Sequence, residues 1–519
     1  MAAASVATMI SATRALQRAD GGGFDLTAIV GALSAWFAVV TGSKQLVRRK
    51  RLDTFDRRLH AAGFTLEHQI VDPGERLVLG RLDGSSTVAV PVKGLRWPAT
   101  ADMLPLGPVR EVIAPVMGVR ALMVASDEQR RMRRLELRNE DGKTVARVEL
   151  DEPASPAAEP ASSAAEPAQL MVRRLRGYDE PARRADHLLL GLGLRAVQNG
   201  EDRQPSSAPK TSSADRAVPA RVLLTTALSD FLVTMRENLP GLLDDVDTEF
   251  LHDFRVAVRR TRTTLKLGRP ALPEVMRSRW EPAFKRLGDL TTPLRDLDVY
   301  QLDLPTMVTW LVTADPTDLE PLAMHLRSQR TAARHALVRF LRSARFRRLV
   351  TEWDLELAGL VGSPEGADRE RLSAGQLADR SVSRAYRRVA RGGAVIGTDS
   401  PAQDLHELRK RCKELRYALE VFAPVLAEGP RKRAVADLKD LQDVLGRFQD
   451  CEVQRRAMRG FAEEMMTEGT RAGAVLAMGE LIGHLDAEQD RARREFDSAF
   501  GRFARPSSLR LMHRLGGGR

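Results

Sequence analysis

The sequence predicts a multidomain α+β protein with a β-rich first half and an all-α second half. Three observations lead to that expectation. The chain has 519 residues, and one hydrophobic core rarely grows past roughly 250–300 residues. Residues 45–150 carry short strand-like runs broken by Gly and Pro. From Val218 onward the apolar residues recur at the helical period of about 3.6.

Residues 1–44 read as an N-terminal segment. Within them, residues 26–43 are uncharged and reach the roughly 18-residue length of a membrane span, but Gly, Ser, Thr and Ala dilute the run. A buried first element is expected there, with no membrane span and no secretory signal. The β-rich domain occupies residues 45–198, with strands expected at 76–80, 87–92, 131–138, 144–150 and 169–178 and a helix at 181–194. Glu140-Asp141-Gly142-Lys143 is a hairpin signal, because Asp-Gly tolerates the positive φ of a tight turn. Residues 151–167 are Pro/Ala/Glu-rich and too poor in apolar bulk to pack, so they read as an insertion. A Ser/Pro linker spans 199–217, and the helical domain spans 218–519.

The hydrophobic fraction of 43% excludes wholesale disorder. Two cysteines, Cys412 and Cys451, exclude a disulfide framework and have no zinc-ligand spacing around them, so a reducing, cytoplasmic compartment is expected. The net charge of +12 is a small imbalance between 81 Lys+Arg and 69 Asp+Glu, so it carries meaning only where the cations cluster.

They cluster in an internal repeat. The segment from His252 aligns without gaps to that from His406, an offset of 406 − 252 = 154. His252, Arg255, Arg259 and Arg262 fall on His406, Arg409, Lys413 and Arg416. The same offset carries Lys285, Leu287, Asp289 and Asp296 onto Lys439, Leu441, Asp443 and Asp450. On a helix, positions 0, +3, +7 and +10 lie within an arc of roughly 80°, so each set of cations shares one face. The neighbouring arc holds Phe254, Val258 and Leu265 in one copy and Leu408, Cys412 and Leu419 in the other, a core stripe that makes the cysteines buried hydrophobes. Repelling cations along one face destabilise a helix, so the duplicated stripe calls for a partner. Asp289, Asp296, Asp443 and Asp450 are candidate structural partners; an extended anion is the other. Arg suits phosphate oxygens through its planar fork, Lys adds point charge and protonated His donates. Other basic runs, Arg327 to Arg348 and Arg384 to Arg391, read as solvated faces.

The runs His252-Asp253-Phe254-Arg255, Arg259-Arg260-Thr261-Arg262, Arg295-Asp296-Leu297-Asp298, His406-Glu407-Leu408-Arg409, Lys413-Glu414-Leu415-Arg416 and Leu441-Gln442-Asp443-Val444-Leu445-Gly446 resemble the CHAD family of histidine-bearing α-helical domains. The resemblance implies two pseudo-symmetric four-helix bundles, with repeats at about 218–350 and 370–505. It implies a basic channel for inorganic polyphosphate, lined by the eight stripe residues His252, Arg255, Arg259, Arg262, His406, Arg409, Lys413 and Arg416. Thr292 stands where the second copy has Gly446, and a local change of turn is expected there.

The first half is similar to the CYTH (triphosphate tunnel) family. Leu52-Asp53-Thr54-Phe55-Asp56-Arg57-Arg58-Leu59, Ala62-Gly63-Phe64-Thr65-Leu66 and Arg176-Gly177-Tyr178-Asp179 carry that likeness, which implies an antiparallel β-barrel or tunnel. The family's Glu-x-Glu-x-Lys signature is absent, so the domain reads as degenerate. No catalytic residues, metal ligands or cofactor are expected. Glu149 and Asp151 are expected to be ordinary surface residues, with acidic residues inside the tunnel as the alternative reading. The expected function is polyphosphate binding, with association with polyphosphate granules as one setting. Metal-dependent triphosphate hydrolysis in the first half and nucleic-acid binding through the same basic surface are the alternatives; the low aromatic content of 5% counts against the second.

Overall fold

A computed structural model describes residues 8–11, 13–20, 22–82, 86–154, 167–175, 177–197, 216–362, 372–397, 399–505 and 508. Two units divide the chain, Met1–Ser207 and Ala208–Arg519. The expected insertion and linker fall largely outside the described residues.

In the first unit, strands β1 (Thr8–Ser11), β2 (Thr13–Gln17), β3 (Ala38–Thr54), β4 (Phe64–Val71), β5 (Gly74–Arg81), β6 (Ser86–Val92), β7 (Leu122–Arg138), β8 (Thr144–Pro153), β9 (Gln169–Arg174) and β10 (Arg195–Ala196) form one antiparallel sheet. Its order is β1-β6-β5-β4-β3-β7-β8-β9-β2-β10. β1 and β2 are consecutive in the chain, yet β1 pairs with β6 and β2 with β9. This short stretch therefore links the two sides of the sheet and closes it. The described residues ahead of 45 thus contribute strands β1, β2 and the start of β3 to this sheet. The run 26–43 is also resolved differently from a single element: α1 (Leu26–Ser34), capped by the Asp25 carboxylate accepting from Thr27 N and Ala28 N, ends before β3 begins at Ala38. No helix among the described residues is long and apolar enough to cross a membrane.

Alternation along the strands gives the sheet two unlike faces. On one, Leu135, Leu137, Ala146, Val148, Leu150, Leu170 and Val172 pack against Ile29 and Leu33 of α1 and against Ala182, Ala185 and Leu189 of α4 (Asp179–Gly191). Further along the same surface, Leu52, Leu66, Leu77 and Leu79 meet Leu59 of α2 (Arg58–Ala61) and Val109, Ile113 and Met117 of α3 (Pro108–Met117). Each buried Leu, Ile, Val or Met among them contributes about 1.5–3 kcal/mol. The helices therefore hold the apolar face, which leaves the charged residues to the other.

The second unit is helical: α5 (Ala220–Asp244), α6 (Thr248–Leu267), α7 (Glu274–Val308), α8 (Glu320–Leu341), α9 (Ala344–Gly362), α10 (Ala374–Gly393), α11 (Ala402–Val421), α12 (Glu428–Thr467) and α13 (Ala472–Phe503). The sequence repeat is the structural repeat. Starts of α5, α6 and α7 recur in α10, α11 and α12 at 374 − 220, 402 − 248 and 428 − 274, each 154. α13, carried back by that offset, spans 318–349, which covers α8 and the beginning of α9; the first copy breaks this helix at Arg342 and Ser343 where the second runs on. Within each copy successive helices pack on one another, and α6 also meets α11 across the copies. A shared core joins them: Leu297, Tyr300 and Met307 of α7 and Leu322 and Leu326 of α8 pack with Met458 and Met465 of α12 and Met478 and Leu481 of α13.

Candidate functional site

The stripe helices are fixed by their apolar sides. Phe254, Val258 and Leu265 of α6 and Leu408, Cys412 and Leu419 of α11 are all buried, so each cationic face is turned away from its own core. Where α6 and α11 approach, a cavity of about 510 Å³ opens. His252, Arg259, Arg409, Lys413 and Arg416 line it, together with Asp253, Arg260, Tyr417, Glu420 and Gln442. Five of the eight expected stripe residues therefore meet in one space, drawn from both copies.

Its electrostatics are strained by design of the repeat. Arg259 and Lys413 occupy equivalent positions and face the same cavity. Burial, with the Arg409 and Arg259 charges, brings the Lys413 ammonium down to about 8, against a weaker pull from Asp450. Burial, with Arg295 beside it, also lowers His252, while Glu249 and Asp253 oppose the shift. Glu420 is shared: Arg260 Nη2 donates to it at 3.0 Å and Arg416 Nε at 2.8 Å. Arg259 lies over the Tyr417 ring, 5.4 Å from its centroid. Arg409 Nη2 donates to Asp450 Oδ1 at 3.0 Å. Among the described residues Lys413 forms no ion pair.

The remaining stripe residues serve elsewhere. Arg255 Nη1 donates to Gly288 O, Thr291 Oγ1 and Thr292 Oγ1 at 3.2, 2.7 and 3.0 Å, tying α6 to α7. Arg262 lies over Gly288, where a Cβ would sit 3.5 Å from its Nη1. His406 Nδ1 is 2.6 Å from Gln449 Oε1. Of the four acids, Asp450 braces Arg409, and Asp296 sits near Arg255 and Arg295, whose charges oppose the desolvation that raises it. Asp289 instead accepts from Lys285 of its own helix at 3.1 Å, and Asp443 is exposed. The change of turn expected at Thr292 does not occur: α7 runs unbroken through it, as α12 does through Gly446, and the Thr292 hydroxyl is an acceptor for Arg255.

One basic run expected to be solvated, Arg327 to Arg348, is partly structural. Arg330 bridges Asp245 and Asp298, its Nε 2.7 Å from the buried Asp298 carboxylate, and Arg334 donates to Leu243 O. Tyr417, Arg260 and Glu420 line the cavity but are not among the stripe residues expected to bind; Tyr417 stands one helical turn after Lys413, and that spacing is the available signal.

In the first unit, Glu149 and Asp151 are not surface residues. They are 4% and 1% exposed, on the face of β8 opposite Val148 and Leu150. Asp151 accepts from Arg49 Nη1 and Arg130 Nε, both at 2.7 Å, and Glu149 from Arg173 Nε at 2.6 Å and Arg134 Nη2 at 3.0 Å. Beside them a cavity of about 520 Å³ is lined by Gln45, Arg76, Arg134 and Glu149 among others. Each carboxylate is thus held between guanidinium groups, and among the described residues no group of three or more His, Cys, Asp or Glu could hold a metal ion.

Residues 226–459 match the CHAD domain family. The helical unit carries a CHAD domain. The matched stretch begins within α5 and ends within α12, so it takes in both stripe helices. Among solved structures, the chain is similar to the CHAD domain from the plant Ricinus communis, with 24% identity over 56% of this chain and 94% of that one, at a TM-score of 0.45. It is similar also to PptA from Streptomyces chartreusis, with 18% identity over 54% of this chain and 99% of that one, at a TM-score of 0.43. A Hippeastrum protein reported to have a dominant triphosphatase activity shares 17% identity over 36% of this chain and 86% of its own, at a TM-score of 0.24. No curated protein matches the sequence.

Proposed function

We propose that the CHAD unit binds inorganic polyphosphate in the cavity between α6 and α11. One observation carries the reading: Arg259, Arg409, Arg416 and Lys413 converge with His252 on a single space, and the Lys413 ammonium is left among cations without a carboxylate of its own. An array of like charges costs free energy unless a polyanion neutralises it, and phosphoryl oxygens match the forked donors of Arg. The duplicated stripe favours an extended ligand over a single phosphate, because the cations come from two helices. Nucleic acid is the weaker candidate for the same space, since the Tyr417 ring, the aromatic side chain in the lining, is already covered by Arg259 and offers no free platform for a base.

Calorimetric titration of the whole protein with polyphosphates of increasing chain length, at two salt concentrations, tests the reading. Affinity is expected to rise with chain length and to fall with salt. Equal binding of orthophosphate, ATP and long-chain polyphosphate at matched charge would overturn it, as would preferential binding of single- or double-stranded nucleic acid in competition.

A further inference from the structure

The offset of 154 places a lysine in the second copy where the first has Arg259. Lys413 is thereby the one primary amine among the eight stripe residues. Lys410, Lys432 and Lys285 make the contrast: each is exposed and donates to a carboxylate, Glu407, Glu428 and Asp289, at 2.8, 2.7 and 3.1 Å. Lys413 instead lines an open cavity beside Arg259 and Arg409, with no ion pair among the described residues.

We infer that Lys413 is an acylation site for acyl phosphates, which seat their phosphate on Arg259 and Arg409 and pass the acyl group to Lys413 Nζ. The inference rests on the reading of this cavity as a phosphate site. Neutral Nζ attacks the carbonyl carbon, a C–N bond forms and the C–O bond to phosphate breaks. Inorganic phosphate leaves with that electron pair, and the amine proton passes to the phosphate or to water. The two guanidinium groups act on both partners: they hold the donor near the amine, and they stabilise the negative charge that grows on the leaving phosphate. Burial, with the same charges, brings the amine down to about 8, so a usable fraction is neutral near pH 7.5. The amide that results carries no charge, so the modified cavity loses a cation and holds a polyanion more weakly.

The test is incubation of the full-length protein with acetyl phosphate at pH 8, followed by mass-spectrometric measurement of the acetylation rate at each lysine, with N-acetylimidazole as a donor that lacks phosphate. Lys413 is expected to react roughly tenfold faster than Lys410 or Lys432 with acetyl phosphate, because the cavity concentrates and orients the donor. That preference should shrink with N-acetylimidazole, fall in Arg259→Gln, and be suppressed by tripolyphosphate. Equal rates at Lys413 and Lys410 would overturn the inference, and so would an equal preference for Lys413 with both donors. Polyphosphate titration of the same preparation separates the two readings. Polyphosphate binding with an inert Lys413 defeats the acylation alone; selective acetylation without polyphosphate binding supports the acylation and defeats the polyphosphate reading.

Discussion

Pro219 and Ser373 pair with each other in an antiparallel bridge, and they are the same position in the two copies, 373 − 219 being 154. The backbone hydrogen bonds around them interchange under that offset: Ala220 N donates to Leu372 O at 2.9 Å, and Ala374 N to Val218 O at 2.7 Å. An antiparallel pairing of equivalent residues is what a local twofold axis produces. The two copies are therefore related face to face at the entry to α5 and α10. The same relation accounts for Arg259 and Lys413 meeting in one cavity, although they lie far apart in the chain.

The stripe separates into residues that hold the fold and residues that face the cavity. Arg255→Ala removes a guanidinium that joins α6 to three acceptors near the middle of α7, and hydrogen bonds to charged groups contribute about 1.5–3 kcal/mol. Urea unfolding of the helical unit should show a loss of that size. Arg259→Ala gives up a contact with Tyr417 and relieves repulsion with Lys413, so stability should change by less than about 1 kcal/mol while polyphosphate affinity falls at least roughly tenfold. A reversed pattern in paired unfolding and binding measurements would sink this division.

Lys413 sets a pH dependence with a defined sign. Its pKa falls from 10.5 in the unfolded chain to about 8 in the folded one, so the unfolded state binds the proton more tightly. The resulting destabilisation is full below about pH 8 and is relieved as pH rises toward 10.5. Lys413→Met should therefore be more stable than the parent at pH 7, with the difference vanishing near pH 10.5, as read from urea melts. A polyanion favours the ammonium, so binding near pH 8.5 should take up a proton, and affinity should fall by up to about tenfold per pH unit above the free-state pKa. His252, lowered by burial, adds a further gain in affinity only on the acid side of the ordinary histidine range.

The helical half was legible because both of its signals can be read along the chain without knowing what packs on what. The 3.6 period marks each helix, and the offset of 154 survives as an offset in helix starts. What the spacing left open was which cations of a stripe stay free: Arg255 and His406 point to neighbours on α7 and α12 that only packing brings near. In the first half the pairing of β1 with β6 and of β2 with β9 joins residues far apart in sequence, and strands of four and five residues carry too little alternation to announce it. Val148, Glu149, Leu150 and Asp151 alternate correctly, but alternation only separates two faces. Closure of the sheet turned the polar face inward, which is why two acids expected in solvent are buried.

Burial also decides the behaviour of the cysteines. Desolvation pushes the Cys412 thiol up to about 12 and, with Glu488 and Asp450 nearby, that of Cys451 to about 11. Thiolate is the reactive form, so both should resist iodoacetamide at pH 8 in the native protein and react once urea unfolds it. Rapid native labelling of either would contradict the packing described for α11 and α12.

The charged face of the sheet gives the sharpest stability contrast. Arg49, Arg130 and Asp151 are 7%, 1% and 1% exposed, and Asp151 accepts from both guanidinium groups. Glu67 and Glu128 stand 3.7 and 3.8 Å from Arg49, and Glu128 is 3.5 Å from Arg130, too long to replace it in full. Asp151→Asn keeps the shape but leaves two buried cations undercompensated, a change that costs about 3–5 kcal/mol when one partner of a buried pair is removed. Glu149→Gln differs because the Arg134 side chain is 52% exposed and can turn to water, which leaves one partly buried cation, Arg173, rather than two, so its cost should be nearer about 1–2 kcal/mol. Hydrogen exchange of peptides covering β7 and β8 in the intact protein measures both. Protection should drop far more in Asp151→Asn than in Glu149→Gln, and equal losses would mean that the two acids share one solvent-screened network rather than separate sites of different depth.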